Sequence, residues 1–301
     1  MAMPLDPQAR AYLDRTLTAG LQPVQSLTPA EARSQAESAA AELFGAKEAV
    51  DSVVRTEVEG VPVRVYSPSR APDLPVTVYL HGGGWVLGLV EGHDGVCRAL
   101  ANRSRTRVVS VDYRLAPEHR FPAAVDDAWA VTRWAHEEAR RVAVIGDSAG
   151  GNLAAVVALR ARDEGMQLAC QALIYPVTDH RFDRPSYVDN ANGYGLTQAA
   201  MRWYWHHYLG GADGGHPDAS PLRAPTLAGV APALVVVCEF DPLRDEGVAY
   251  AERLRQAGVP VRLSEYAGMI HGFLRMPAMI DRSREVLDEI GMVLRGALSP
   301  D

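Results

Sequence analysis

Short runs of apolar residues recur along the chain near 76–80, 107–111, 141–145, 169–174, 233–238 and 261–266. They are continuous rather than alternating, the pattern of strands covered on both faces. Between them lie longer stretches with apolar residues at helical spacing, such as Leu153, Val156, Val157 and Leu159 within 152–162. Strand and helix in alternation predict an α/β fold with a mostly parallel sheet. One segment reads differently: Val58, Val61, Val63 and Val65, with Glu59-Gly60 between them, predict an antiparallel first hairpin over 55–67. A helix from Glu118-His119 through Ala123 to His136 is expected on one face, and a last helix over about 278–298 at the end of the sheet.

Two regions stand outside this alternation. Residues 1–46 are Ala-rich and lack a strand run, and Asp6-Pro7 and Thr28-Pro29 are plausible helix starts. Residues 180–215 carry the aromatic stretch Met201-Arg202-Trp203-Tyr204-Trp205-His206-His207-Tyr208-Leu209 between Gly-rich loops, a helix whose rings serve partly as packing. The expected organisation is an α/β core over 47–179 and 216–301, with 1–46 and 180–215 as added helical segments. No repeat or low-complexity tract interrupts it.

Composition narrows the class. At 301 residues and 48% hydrophobic, the chain can bury one large core, or a core and a small cap. A formal net charge of -7 argues against nucleic acid and against an anionic membrane surface as partners. Cys97, Cys170 and Cys238 are widely spaced and odd in number, which points to a reducing compartment; the latter two sit in strand-like runs as small core residues. Met1-Ala2-Met3-Pro4-Leu5-Asp6 shows no basic run followed by an apolar stretch, so neither leader nor anchor is expected and the cytoplasm is the expected location.

The chemistry gathers at four places. Gly146-Asp147-Ser148-Ala149-Gly150 is a Gly-x-Ser-x-Gly pattern, weak alone but here set between a strand run and a helix. A sharp turn there exposes the Ser148 hydroxyl, and the helix start offers free amides and the positive dipole end to an oxyanion. A loop that merely caps the helix is the bland alternative. His81-Gly82-Gly83-Gly84-Trp85 follows the strand 76–80, and consecutive glycines let a backbone turn its amides toward a carbonyl. The competing phosphate-loop reading lacks a Lys and a Ser or Thr at Walker spacing. Trp85 fits an apolar substrate pocket.

Asp241 lies just past the most continuous apolar run and before Pro242, where an ordinary helix cap would also sit. It is favoured over Glu239, Asp245 and Glu246 because a carboxylate in that loop can reach an imidazole and hold its tautomer. His271, in the loop 267–273 with glycines on both sides, is the candidate base in a mobile, exposed turn. His81 is its rival but belongs to the glycine loop, where it would brace backbone. No His, Cys and carboxylate set has metal spacing, so no metal is expected.

The combination His81-Gly-Gly-Gly-Trp, Asp112-Tyr-Arg-Leu-Ala-Pro-Glu-His119, Gly146-Asp-Ser-Ala-Gly-Gly-Asn, Asp241-Pro-Leu-Arg-Asp-Glu-Gly and His271-Gly-Phe resembles the hormone-sensitive-lipase family of α/β-hydrolases, the bacterial family IV esterases. The resemblance spans 81–273. It implies an eight-stranded α/β-hydrolase sheet with a helical cap, a Ser148, Asp241 and His271 triad, and oxyanion amides from Gly83, Gly84 and Ala149. It further implies hydrolysis of small carboxylic esters of short to medium acyl length with no cofactor, and leaves a homodimer open. An amidase or formamidase with the same triad is the nearest alternative. A non-catalytic receptor is the distant one, since the gibberellin receptor of this fold has lost the histidine that His271 supplies here.

Overall fold

The computed structural model describes residues 4–299, without the side chains of residues 39–42. The expectations that touch 1–3 and 300–301, the leader reading and the outermost domain limits, lie outside the described residues.

Two helices come first, α1 (Pro7–Thr18) and α2 (Pro29–Phe44). Both begin where the Asx/Thr-Pro pairs predict, and each has a reason. Asp6 Oδ1 accepts the amides of Gln8 and Ala9, while Thr28 and Glu31 form a reciprocal capping box. The hairpin β1 (Ser52–Val58) and β2 (Val61–Ser67) turns at Glu59-Gly60 as expected. Then follow β3 (Val76–Leu80), α3 (Asp94–Ser104), β4 (Arg107–Val111), α4 (Ala123–Glu138), β5 (Val142–Asp147), α5 (Ala149–Asp163) and β6 (Cys170–Ile174). The chain ends with α6 (Pro185–Asp189), α7 (Gln198–Leu209), β7 (Ala233–Phe240), α8 (Arg244–Gln256), β8 (Val261–Ile270) and α9 (Arg282–Leu298).

Among the described residues the eight strands form one sheet in the order β1-β2-β4-β3-β5-β6-β7-β8, antiparallel at the first two pairings and parallel from β4 onward. The parallel strands β3, β5 and β6 are buried at every position, because helices cover both faces. The two faces make two apolar clusters. One gathers α4, α5, α8 and the aromatic helix α7, the other α3, α9 and the start of α1. Cys97, Cys170 and Cys238 are buried free thiols in the second cluster. No helix among the described residues is long and apolar enough to cross a membrane.

The helix limits depart from expectation in two places. Residues 118–122 form a turn, so α4 starts only at Ala123. The last helix starts at Arg282 because Ser283 Oγ donates to Phe273 O and ties the preceding turn down.

Candidate active site

Parallel order brings the carboxyl ends of β3, β5, β7 and β8 to one edge of the sheet, and all the candidate groups sit on the loops leaving that edge. At the end of β5, Ser148 occupies a left-handed conformation with φ 58°. A non-glycine residue there is strained, and its surroundings hold it. Its amide donates to Ile174 O at 2.8 Å, and its carbonyl accepts from Asn152 N at 3.1 Å. A Cβ on Gly150 would run into Leu80 O, and one on Gly146 into Gly150 O, so α5 can leave the strand this tightly only with glycine at both positions.

Ser148, His271 and Asp241 meet across 123 residues of sequence. His271 Nε2 lies 2.9 Å from Ser148 Oγ, and its Nδ1 lies 2.7 Å from Asp241 Oδ2. The carboxylate is fully buried, and its other oxygen accepts Leu243 N at 2.9 Å. Asp241 is therefore a turn cap and the partner of the imidazole at once. With Asp241 an acceptor at Nδ1, the proton sits on Nδ1 and Nε2 is free to take the serine proton.

Its rivals are engaged elsewhere. Glu239 accepts Gly268 N at 2.7 Å, and Asp245 accepts Ser186 N at 2.8 Å and pairs with Arg244. Glu246, far from capping a helix in solvent, is fully buried and takes the amides of Thr178 and Asp179 on its Oε1. Burial, with the nearby Asp179 charge, pushes its carboxyl well above the usual range, against the pull of those amides.

His271 does sit in a turn, but that turn is shorter than 267–273 and the residue is half-buried rather than exposed. Strand β8 continues through 267–270, with a bulge opposite Cys238 and Phe240, and delivers the histidine directly at its end. Gly268, at φ 74°, makes that bulge; its carbonyl accepts Asp6 N, so the start of α1 anchors the segment. The Tyr175 ring, itself at φ 37°, packs 4.6 Å from the imidazole.

The glycine segment lies beside them. Gly83 at φ 129° and Gly84 at φ 61° need glycine, since the Gly83 carbonyl turns back to accept Leu87 N and the Tyr204 ring lies directly on Gly84. The amides of Gly83, Gly84 and Ala149 donate to no protein acceptor among the described residues. His81 is excluded as a base. Its ring is buried, stacks on Tyr113 at 4.2 Å, and places Nδ1 2.9 Å from Gly82 O. Burial, aided by the neighbouring His93, lowers it to about 3.

The sequence reading missed the residue next to the serine. Asp147 Oδ1 accepts Tyr79 Oη at 2.6 Å and Gly82 N at 3.0 Å, joining the end of β5 to the glycine loop. Burial alone would raise its carboxyl, but His93, Arg275 and the Tyr79 hydroxyl outweigh that and hold it below the usual range. A carboxylate closing an otherwise apolar strand was the available signal. Arg33 was missed as well: from α2 it donates to Val86 O at 2.8 Å and Ala116 O at 2.9 Å and pairs with Glu118, fastening the N-terminal helices to the glycine loop.

Trp85 does not line the site, contrary to expectation. It is fully buried, stacked on Tyr208 at 4.2 Å and packed against Trp205 at 4.6 Å, a core residue beneath α7. The groups that do border the cavity of about 650 Å³ above Ser148 include Leu87, Leu89, Val177, Leu196, Met201 and Tyr204. Of the aromatics on α7 only Tyr204 is among them. No group of three or more metal-ligating side chains occurs among the described residues.

A serine on a strained strand-to-helix turn, ordered Ser, Asp, His along the chain, with a glycine loop at the next strand, defines an α/β hydrolase. Residues 77–275 match the family described as alpha/beta hydrolase fold, and the chain belongs to that family, on its hormone-sensitive-lipase-like branch. The chain is 39% identical to an ethyl acetate hydrolase of Pseudomonas putida, over 95% of this chain and 96% of the relative. It is 44% identical to the carboxylic ester hydrolase LipN of Mycobacterium tuberculosis, over 79% of this chain and 68% of that protein. Among solved structures, the hyperthermophilic esterase of Pyrobaculum calidifontis superposes with a TM-score of 0.93 at 40% identity, covering 99% of this chain and all of that one.

Proposed function

We propose that the protein hydrolyses carboxylic esters of short to medium acyl length, with Ser148 as nucleophile, His271 as base and acid, and Asp241 as the group that orients it. The observation that carries the proposal is the continuous relay from Ser148 Oγ through His271 to a buried Asp241, at 2.9 and 2.7 Å, on the wall of an apolar cavity. Named esterases and ester hydrolases among the relatives support the reaction class.

The steps follow from the protons. His271 Nε2 takes the Ser148 proton as Oγ bonds to the ester carbonyl carbon, and the carbonyl electrons move onto oxygen. That oxyanion is met by the amides of Gly83, Gly84 and Ala149, which no protein acceptor among the described residues engages. Asp241 stabilises the imidazolium. His271 then returns the proton to the departing alcohol oxygen as the carbon–oxygen bond breaks, and water repeats the cycle on the acyl-enzyme.

Cavity walls come from both added segments. Arg33, Ala36 and Phe44 border it from the N-terminal region, and Leu196, Met201 and Tyr204 from the second, which supports reading 1–46 and 180–215 as a cap over a core of 47–179 and 216–301. The Arg33 contacts to Val86 O and Ala116 O fix that cap to the loop that would hold the oxyanion.

Ser148→Ala tests the assignment. Turnover of 4-nitrophenyl butyrate should fall by roughly a thousandfold or more with the unfolding midpoint preserved. Organophosphate labelling should be lost with it. A folded variant of near-native activity refutes the assignment.

A further inference from the structure

Among the described residues, the charged side chains bordering the cavity are Arg33, Glu37, Lys47, Glu91, Asp147 and Arg275. Five are accounted for. Arg33 pairs with Glu118, Lys47 with Asp94 at 3.0 Å, and Glu91 with both Arg55 and Arg64. Asp147 serves Tyr79 and Gly82, and Glu37 is exposed on α2.

Arg275 differs. Among the described residues no carboxylate oxygen lies within 4.0 Å of its guanidinium nitrogens. Among the described residues its one side-chain polar contact is from Nη1 to His93 Nε2 at 3.4 Å. His93 Nδ1 donates to Leu89 O at 3.3 Å, and its Nε2 sits between Arg275 Nη1 and Asp147 Oδ1, the latter 3.6 Å away. Nε and Nη2 have no protein acceptor among the described residues. The support beneath is stiff. Arg275 follows His271 by four residues in a turn closed by Arg275 N to Gly272 O at 3.2 Å, with Phe273 and Leu274 fully buried.

A positive group half-buried in an apolar cavity, held along one edge and with donors free on the other, has the chemistry that binds a carboxylate in paired hydrogen bonds. We infer that Arg275 forms an anion subsite in the catalytic cavity, which selects esters carrying a second, ionised carboxylate. The inference rests on the ester-hydrolase reading. Half-esters of dicarboxylic acids present such a group on the acyl side, and acyl derivatives of hydroxy acids present it on the alcohol side.

Matched pairs distinguish the two sources. The acyl-side pair is the 4-nitrophenyl half-ester of glutaric acid against 4-nitrophenyl valerate; the alcohol-side pair is 3-acetoxypropionate against propyl acetate. The quantity read is the anionic-to-neutral ratio of kcat/KM within each pair. Arg275→Met should lower that ratio roughly tenfold to a hundredfold in one pair, with Arg275→Lys in between, and the pair that responds identifies the side. Ratios unmoved in both pairs, even if all rates fall together, overturn the inference and leave Arg275 only as support for His93 and Asp147. Calorimetric titration of glutarate into Ser148→Ala keeps the test independent of turnover. Binding that weakens at least tenfold on adding Arg275→Met upholds the subsite even if the wild type cleaves no ester, whereas glutarate affinity indifferent to Arg275 refutes it.

Discussion

Changing Asp241 to Asn alters one atom of a side chain that is fully buried and holds two hydrogen bonds. The oxygen that accepts Leu243 N can stay where it is, so the turn into α8 keeps its cap. The amide nitrogen then faces His271 Nδ1, and two donors cannot face each other. The imidazole answers by moving its proton to Nε2, which leaves it pointing a hydrogen at Ser148 Oγ across 2.9 Å, unable to accept the serine proton. Loss of tautomer control of this kind costs about ten-thousandfold in kcat. At about 1.4 kcal/mol per decade this amounts to ~5.5 kcal/mol of transition-state stabilisation. Stability should change by less than about 2 kcal/mol, because the lost charge-assisted bond is offset by relief of a buried charge. Asp245→Asn is the control: it touches Ser186 and Arg244 and no part of the relay. Steady-state hydrolysis of 4-nitrophenyl butyrate alongside urea unfolding reads both quantities. Activity of Asp241→Asn within tenfold of wild type, or an equal loss at Asp245, would refute the assignment of the acid.

Two further outcomes are expected. For 4-nitrophenyl esters, kcat/KM should rise by about one kcal/mol per added methylene, peak at about four to eight carbons and fall steeply beyond ten, with no gain on emulsified substrate; activity climbing through long-chain triglyceride emulsions contradicts the cavity argument. Glu246→Gln addresses pH. Its folded carboxyl is raised above the unfolded value of 4.5, so the stability it contributes is full below that pH and drains away as pH rises, at about 1.4 kcal/mol per unit until the folded group ionises. The Gln variant lacks this loss, and urea unfolding should find its advantage over wild type growing from pH 5 to 8; a constant difference means that Glu246 is already ionised in the folded protein.

The sequence by itself determined the strands and the two capped helix starts, and singled out Ser148, Asp241 and His271 as candidates. Each is a local property: continuous β-branched runs mark strands buried on both faces, Asp6 and Thr28 cap helices through their own neighbours, and the functional motifs are short contiguous strings. Tertiary structure decided whatever depends on which side of the sheet edge a side chain leaves by. Trp85 and Tyr204 are both aromatic and both near the glycines, yet Trp85 turns into the core against Tyr208 while Tyr204 lies over Gly84. A backbone at φ 60° aims the Trp85 side chain inward, and no periodicity records such a conformation. The loop before His271 reads as longer than it is because Gly268 breaks the strand pattern, but hydrogen bonding to β7 carries β8 past that bulge to Ile270. Asp147 and Arg275 acquired their roles only from neighbours far along the chain, Tyr79 and Gly82 for the one and His93 for the other, because electrostatic partnership follows distance in space.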